Sequence, residues 1–224
     1  MKSFRRALSF MFILLLSSFS VPQKKKVIFF GDSITQAGVQ PGGYIVKIGE
    51  MAAKEGKAES FELLGAGIGG NKIYDLYLRL DEDVLNKNPD IVVIYIGVND
   101  VWHKRLTGTG TDADKFENFY VALINKLKAK NIKVALCTPA AIGERTDSSN
   151  ELDGDLNQYS NIIRRLSVKN SLPLVDLRKS FLEYNLKYNT ENKESSSLTT
   201  DRVHLNEKGN QLVAEEMWKV IKTL

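Results

Sequence analysis

Cysteine and histidine are scarce: Cys137, His103 and His204 are the only ones among 224 residues. A single cysteine closes no intramolecular disulfide, and no cysteine–histidine grouping has zinc-site spacing, so no metal is expected. Cys137 follows the apolar residues 134–136 and reads as a buried core thiol rather than a nucleophile. Charge of one sign is also lacking. Lys2, Arg5 and Arg6 lie in the first 20 residues with no acidic partner, and the remaining chain balances 28 basic against 27 acidic residues. Without a basic excess, and with no aromatics interleaved in Lys24-Lys25-Lys26, no nucleic-acid partner is expected.

Long apolar runs are missing too. The one notable stretch, residues 7–16, is well short of the roughly 20 residues of a membrane-spanning helix. It follows a basic start and precedes Ser17-Ser18-Phe19-Ser20, the order of a secretory signal peptide. The expectation is a leader over residues 1–20 cut after Ser20, an exported mature chain in the periplasm or outside the cell, and no integral membrane span after cleavage. A buried or amphipathic N-terminal helix is the rival reading. The remaining residues, 21–224, suit one domain with a substantial core.

Short apolar segments rich in β-branched and aromatic residues recur at 27–30, 61–64, 91–96, 134–136 and 174–175. They are nearly continuous, as in strands buried on both faces. Helical spacing fills 44–54, 73–85, 115–130, 156–169 and 207–221. The alternation predicts an α/β fold, a parallel sheet of about five strands between helices. Residues 107–112, 143–154 and 190–200 are polar and read as surface loops, while 37–43 and 139–142 are expected to border a pocket.

Ligands of open parallel sheets bind beyond the carboxyl ends of the strands. Gly31-Asp32-Ser33 follows the first predicted strand, the glycine-rich residues 65–70 the second, and Gly97-Val98-Asn99-Asp100 the third. Asp201-Arg202-Val203-His204 stands just before the last helix. With these four blocks in this order across nearly the whole mature chain, the sequence resembles the SGNH or GDSL-type hydrolases. The resemblance implies a flavodoxin-like three-layer α/β/α fold and ester hydrolysis without a cofactor. Residue by residue it implies Ser33 as nucleophile, His204 as base, Asp201 as its partner, and Gly70 and Asn99 as oxyanion donors beside the backbone N–H of Ser33. The family's second block often begins with asparagine, where this chain has Gly65.

The residue types suit that chemistry. A serine hydroxyl needs a base within hydrogen-bond reach, and imidazole has the matching proton affinity. A carboxylate on the far ring nitrogen fixes the tautomer. Asp32 is read as a brace for the nucleophile turn, Asp100 as structural, and Trp102 and His103 as lining the substrate pocket on the loop after the third strand. Without an amphipathic lid, a short acyl ester such as an O-acetylated carbohydrate is expected before a triglyceride. Lysophospholipase or acyltransferase chemistry at the same residues stays open. So does a non-catalytic carbohydrate-binding surface protein. A flavodoxin-like nucleotide- or flavin-binding module is disfavoured by the export signal and by the missing Gly-Lys-Ser/Thr ending of a phosphate loop.

Overall fold

The structure, a computed structural model, describes residues 23–224. The leader expected over residues 1–20 and its cut after Ser20 lie outside these residues. In chain order the elements are β1 (Lys25–Gly31), α1 (Ser33–Gly38), α2 (Tyr44–Lys54), β2 (Phe61–Gly67), α3 (Ile73–Asp83), β3 (Ile91–Tyr95), α4 (Val98–Thr107), α5 (Ala113–Ala129), β4 (Lys133–Cys137), α6 (Asp153–Asn170), β5 (Leu174–Val175), α7 (Leu177–Tyr188) and α8 (Glu207–Ile221). No helix among the described residues is long and apolar enough to cross a membrane.

The strands are all parallel, in the order β2-β1-β3-β4-β5. From β1 the chain moves to one edge and then returns across β1 to β3. Right-handed crossovers therefore put α2 and α3 on opposite faces. On one face α2 packs against α8, and on the other α3 packs against α5 and α5 against α6. This is the three-layer, flavodoxin-like arrangement expected from the sequence. Val27, Ile28, Phe29 and Phe30 of β1 and the whole of β3 are buried, because helices cover both sides of these inner strands. At the edge, β2 leaves Glu62 and Gly65 exposed, so its apolar run is only half covered.

Register makes the carboxyl edge level. Gly31 lies opposite both Gly67 and Tyr95, and Tyr95 lies opposite Cys137. The segments that follow β1, β2 and β3 thus emerge side by side. Cys137 closes β4 in the core, where burial pushes its thiol well above the ordinary range.

Several local expectations need correction. Trp102 and His103 lie on α4 rather than a loop: Gly97, at φ +127°, turns the chain straight into a helix whose Val98 and Val101 are buried. Ala37 and Gly38 belong to α1, and α7 is a helix beyond the five predicted from spacing. Residues 139–142 are buried. The three segments read as surface loops also contribute buried side chains, namely Thr111, Glu144, Asn150, Leu198 and Thr199, and Asp153 already begins α6.

Candidate active site

Asp32 sits between β1 and α1 and caps the helix, its Oδ1 accepting from Ile34 N at 3.0 Å. Ser33 is therefore the first residue of α1, where a backbone N–H has no intrahelical acceptor. Burial pushes the Asp32 carboxyl up to about 6, against the opposing hydrogen bond from Ile34. That fits a brace inside the turn.

The glycine segment after β2 lies directly on α1. Gly69 N donates to Gln36 Oε1 at 2.8 Å, and a Cβ at Gly67 would sit 2.1 Å from Gln36 N. Gly65, Gly67 and Gly70 have the spacing of a dinucleotide-binding turn. Here α1, not a pyrophosphate, fills the space against Gly67. Gly70 has φ +76°, a left-handed conformation that glycine adopts without a steric penalty. Its Cα faces His103, whose Cε1 would lie 3.8 Å from an added Cβ.

Asn99 is the second residue of α4 and is buried. Its Nδ2 donates to Asn71 O at 3.1 Å, which uses one of the two amide hydrogens. On the same helix, Trp102 packs partly against the core, its ring centroid 5.8 Å from that of His103. Burial, and then the nearby Lys72 charge, hold His103 below the usual imidazole range.

Asp201 and His204 come from the turn before α8. Arg202 adopts φ +84°, and the Asp201 carboxylate swings round so that Oδ1 accepts from Val203 N at 3.1 Å and His204 N at 2.8 Å. Its Oδ2 lies 2.7 Å from His204 Nδ1, and His204 Nε2 lies 2.9 Å from Ser33 Oγ. One imidazole therefore spans a hydroxyl and a carboxylate separated by 168 residues of sequence. Burial works against the Asp201 charge, but the hydrogen bonds from the His204 ring and backbone hold its carboxyl below the usual range.

Two carboxylates around this site have distinct surroundings. Asp100 is fully buried: Oδ1 accepts from Ile73 N at 3.1 Å, while Oδ2 and the neighbouring Thr111 hydroxyl lack hydrogen-bond partners. Burial raises the Asp100 carboxyl to about 7. An unfolded aspartate ionises near pH 4, so the folded chain holds this proton more tightly, and ionising Asp100 destabilises the fold increasingly as pH climbs from about 4 through about 7. Asp100→Asn removes that penalty. Its melting temperature relative to the parent is expected to rise between pH 5 and pH 8, and an unchanged difference at both pH values would contradict the assignment.

Glu144 is the other, and the sequence reading missed it. Its Oε1 accepts from Leu198 N at 2.6 Å and Thr199 N at 2.8 Å, and its Oε2 from Ser197 N at 2.8 Å. The chain then folds back through the Thr199–Leu205 bridge and the bond from Thr200 N to His204 O at 2.8 Å. A buried carboxylate thus anchors the hairpin that carries Asp201 and His204. Glu144→Ala leaves the N–H groups of Leu198 and Thr199 without acceptors, at about 1–3 kcal/mol each. For a chain of this size a melting-temperature drop of about 5–15 °C is expected by differential scanning calorimetry, with a parallel loss of turnover.

With this geometry in place, comparison with known proteins identifies the family. Residues 29–212 match the model of the GDSL-like lipase/acylhydrolase family. The chain belongs to that family. A solved acetyl xylan esterase is 65% identical, with a TM-score of 0.86 over 88% of this chain and 99% of that one. The acetylxylan esterase of Geobacillus stearothermophilus is 25% identical over 212 residues, 88% of this chain and 94% of its own. A catalytic mutant of that esterase superposes with a TM-score of 0.76, covering 87% of this chain and 93% of its own. An uncharacterized lipoprotein of Bacillus subtilis is 27% identical over 175 residues, 70% of this chain and 72% of its own. As a member of the GDSL-like family, the chain is a carboxylic ester hydrolase with serine catalysis.

Proposed function

We propose that the chain is an exported esterase that removes acetyl groups from O-acetylated carbohydrate, with Ser33, His204 and Asp201 as its catalytic residues. The observation that carries the reading is the unbroken line from Ser33 Oγ through the His204 ring to Asp201 Oδ2, at 2.9 Å and 2.7 Å. His204 Nε2 takes the Ser33 proton as Oγ attacks the ester carbonyl carbon. Asp201 holds the opposite nitrogen protonated and stabilises the imidazolium. The carbonyl oxygen gains negative charge opposite the N–H groups of Ser33 and Gly70 and the free Nδ2 hydrogen of Asn99. Collapse breaks the bond to the sugar oxygen, which leaves with the proton from His204. The acetyl group remains on Ser33. Water, deprotonated by His204, then attacks this acetyl-enzyme; the bond to Ser33 Oγ breaks, His204 returns the proton to that oxygen, and acetate is released. Acyl transfer to a sugar hydroxyl would replace water in that last step and needs no other residue.

Acetyl xylan esterase chemistry in the relative at 65% identity supports the substrate class. The catalytic mutants of the Geobacillus stearothermophilus enzyme support the choice of catalytic residues: they replace one serine, one aspartate and one histidine, the aspartate three positions before the histidine, as Asp201 stands before His204. Trp102 and His103, on the helix that carries Asn99, border the substrate, and the His103 ring serves as a hydrogen-bonding partner for a sugar hydroxyl. Export is supported by the leader pattern of residues 1–20 and by the relative named a lipoprotein. The test measures acetate release from acetylated xylooligosaccharides beside p-nitrophenyl esters of rising chain length and lysophosphatidylcholine, for the mature chain and Ser33→Ala. Deacetylation by the parent alone is expected. Equal rates from both proteins would end the reading, and preference for the lysolipid would replace the substrate class.

A further inference from the structure

Arg79 on α3 takes no direct part in these steps, yet it joins their supports. Its Nη2 donates to Gly31 O at 2.8 Å and to Ala66 O at 3.0 Å, which places one nitrogen between the ends of β1 and β2. Nε donates to Asn71 Oδ1 at 2.7 Å, and Nη1 to Asp83 Oδ2 at 2.6 Å. The guanidinium lies 4.5 Å from the centroid of the Phe30 ring, and the side chain is only 14% exposed. Four of its five N–H donors are thus engaged in a rigid planar fork, with Asp83 balancing the charge. A surface helix pair would need only the contact with Asp83.

Asn71 is the link to the chemistry. Its side chain is held by Arg79, while its own carbonyl accepts from Asn99 Nδ2 at 3.1 Å. It also directly follows Gly70. Arg79 thus holds the residue whose backbone carbonyl orients the Asn99 amide and whose chain neighbour is Gly70, and Gly31, also held by Arg79, lies two residues before Ser33. We propose that Arg79, acting through Asn71, is a positioning residue that sets the geometry of the oxyanion donors. This rests on the roles given to Gly70 and Asn99 above.

Two variants separate positioning from folding. Arg79→Lys keeps a positive charge for Asp83 but cannot hold acceptors at the fork's fixed angles. Asn71→Ala removes the acceptor of Arg79 Nε and keeps the backbone carbonyl that Asn99 uses. Each is expected to lower kcat on p-nitrophenyl acetate about 10- to 100-fold, the scale of a small displacement of catalytic groups, with KM changed by less than about twofold. Phenylboronic acid, whose tetrahedral serine adduct puts an oxygen in the oxyanion position, should bind more weakly by the same factor as the loss in kcat/KM. Combining the variants should cost no more than the worse of the two, because both break one connection. Parental kcat in either folded variant, a loss carried by KM, or losses that multiply in the double variant would overturn the proposal. Should Arg79→Lys fail to fold, Asn71→Ala alone decides it. Failure of the underlying reading looks different: there the parent itself would hydrolyse the ester no faster than Ser33→Ala.

Discussion

His204→Ala is expected to lower kcat/KM for p-nitrophenyl acetate by about 10⁴- to 10⁶-fold, the range seen when the base of a serine triad is removed. His103, the other imidazole, cannot substitute. It sits on α4 beside Gly70, whereas the Ser33 hydroxyl donates to Nε2 of His204. The His204 side chain is 38% exposed and lies outside the core, so the variant should melt close to the parent. Initial rates, with a thermal melt as the folding control, test this. A folded His204→Ala protein with more than about a tenth of parental activity would contradict the role of His204.

Asn99→Ala is the second large effect. Loss of one oxyanion donor typically costs about 10²- to 10³-fold in turnover, because the donor meets a charge that exists only near the transition state. The loss should therefore fall on kcat, with KM little changed. The geometry supports this split: Asn71 O takes one Nδ2 hydrogen, orienting the amide in a buried setting before any substrate arrives. Steady-state kinetics that showed a raised KM at parental kcat would instead make Asn99 a ground-state binding residue.

The fold was readable because its inner strands are nearly continuous apolar runs. Residues 27–30 and 91–96 can be buried on both faces only in a parallel sheet between helices. Placing Ser33, the 65–70 segment and Asn99 on one edge followed from strand ends alone, and the register of Gly31 against Gly67 and Tyr95 levels that edge. Helix α4 escaped because Asn99-Asp100 after glycine has the composition of a turn. Helix α7 escaped because its buried set, Leu177, Arg178, Phe181 and Asn185, is half polar. Glu144 and Arg79 were illegible for a different reason. A glutamate in a polar loop and an arginine on a helix look solvated locally, and only acceptors or donors brought in from far along the chain, such as Thr199 N for Glu144 and Gly31 O for Arg79, hold them inside.

The central claim is that Ser33, activated by His204, forms the covalent intermediate of ester hydrolysis. Labelling with a fluorophosphonate, followed by peptide mapping and assay of acetate release, tests it most directly, since such reagents phosphonylate an activated serine. The expected result is one adduct per chain on the peptide containing Ser33, loss of activity in proportion to labelling, and no adduct in His204→Ala. Full activity with Ser33 labelled, or inactivation with the adduct on another residue, would contradict it.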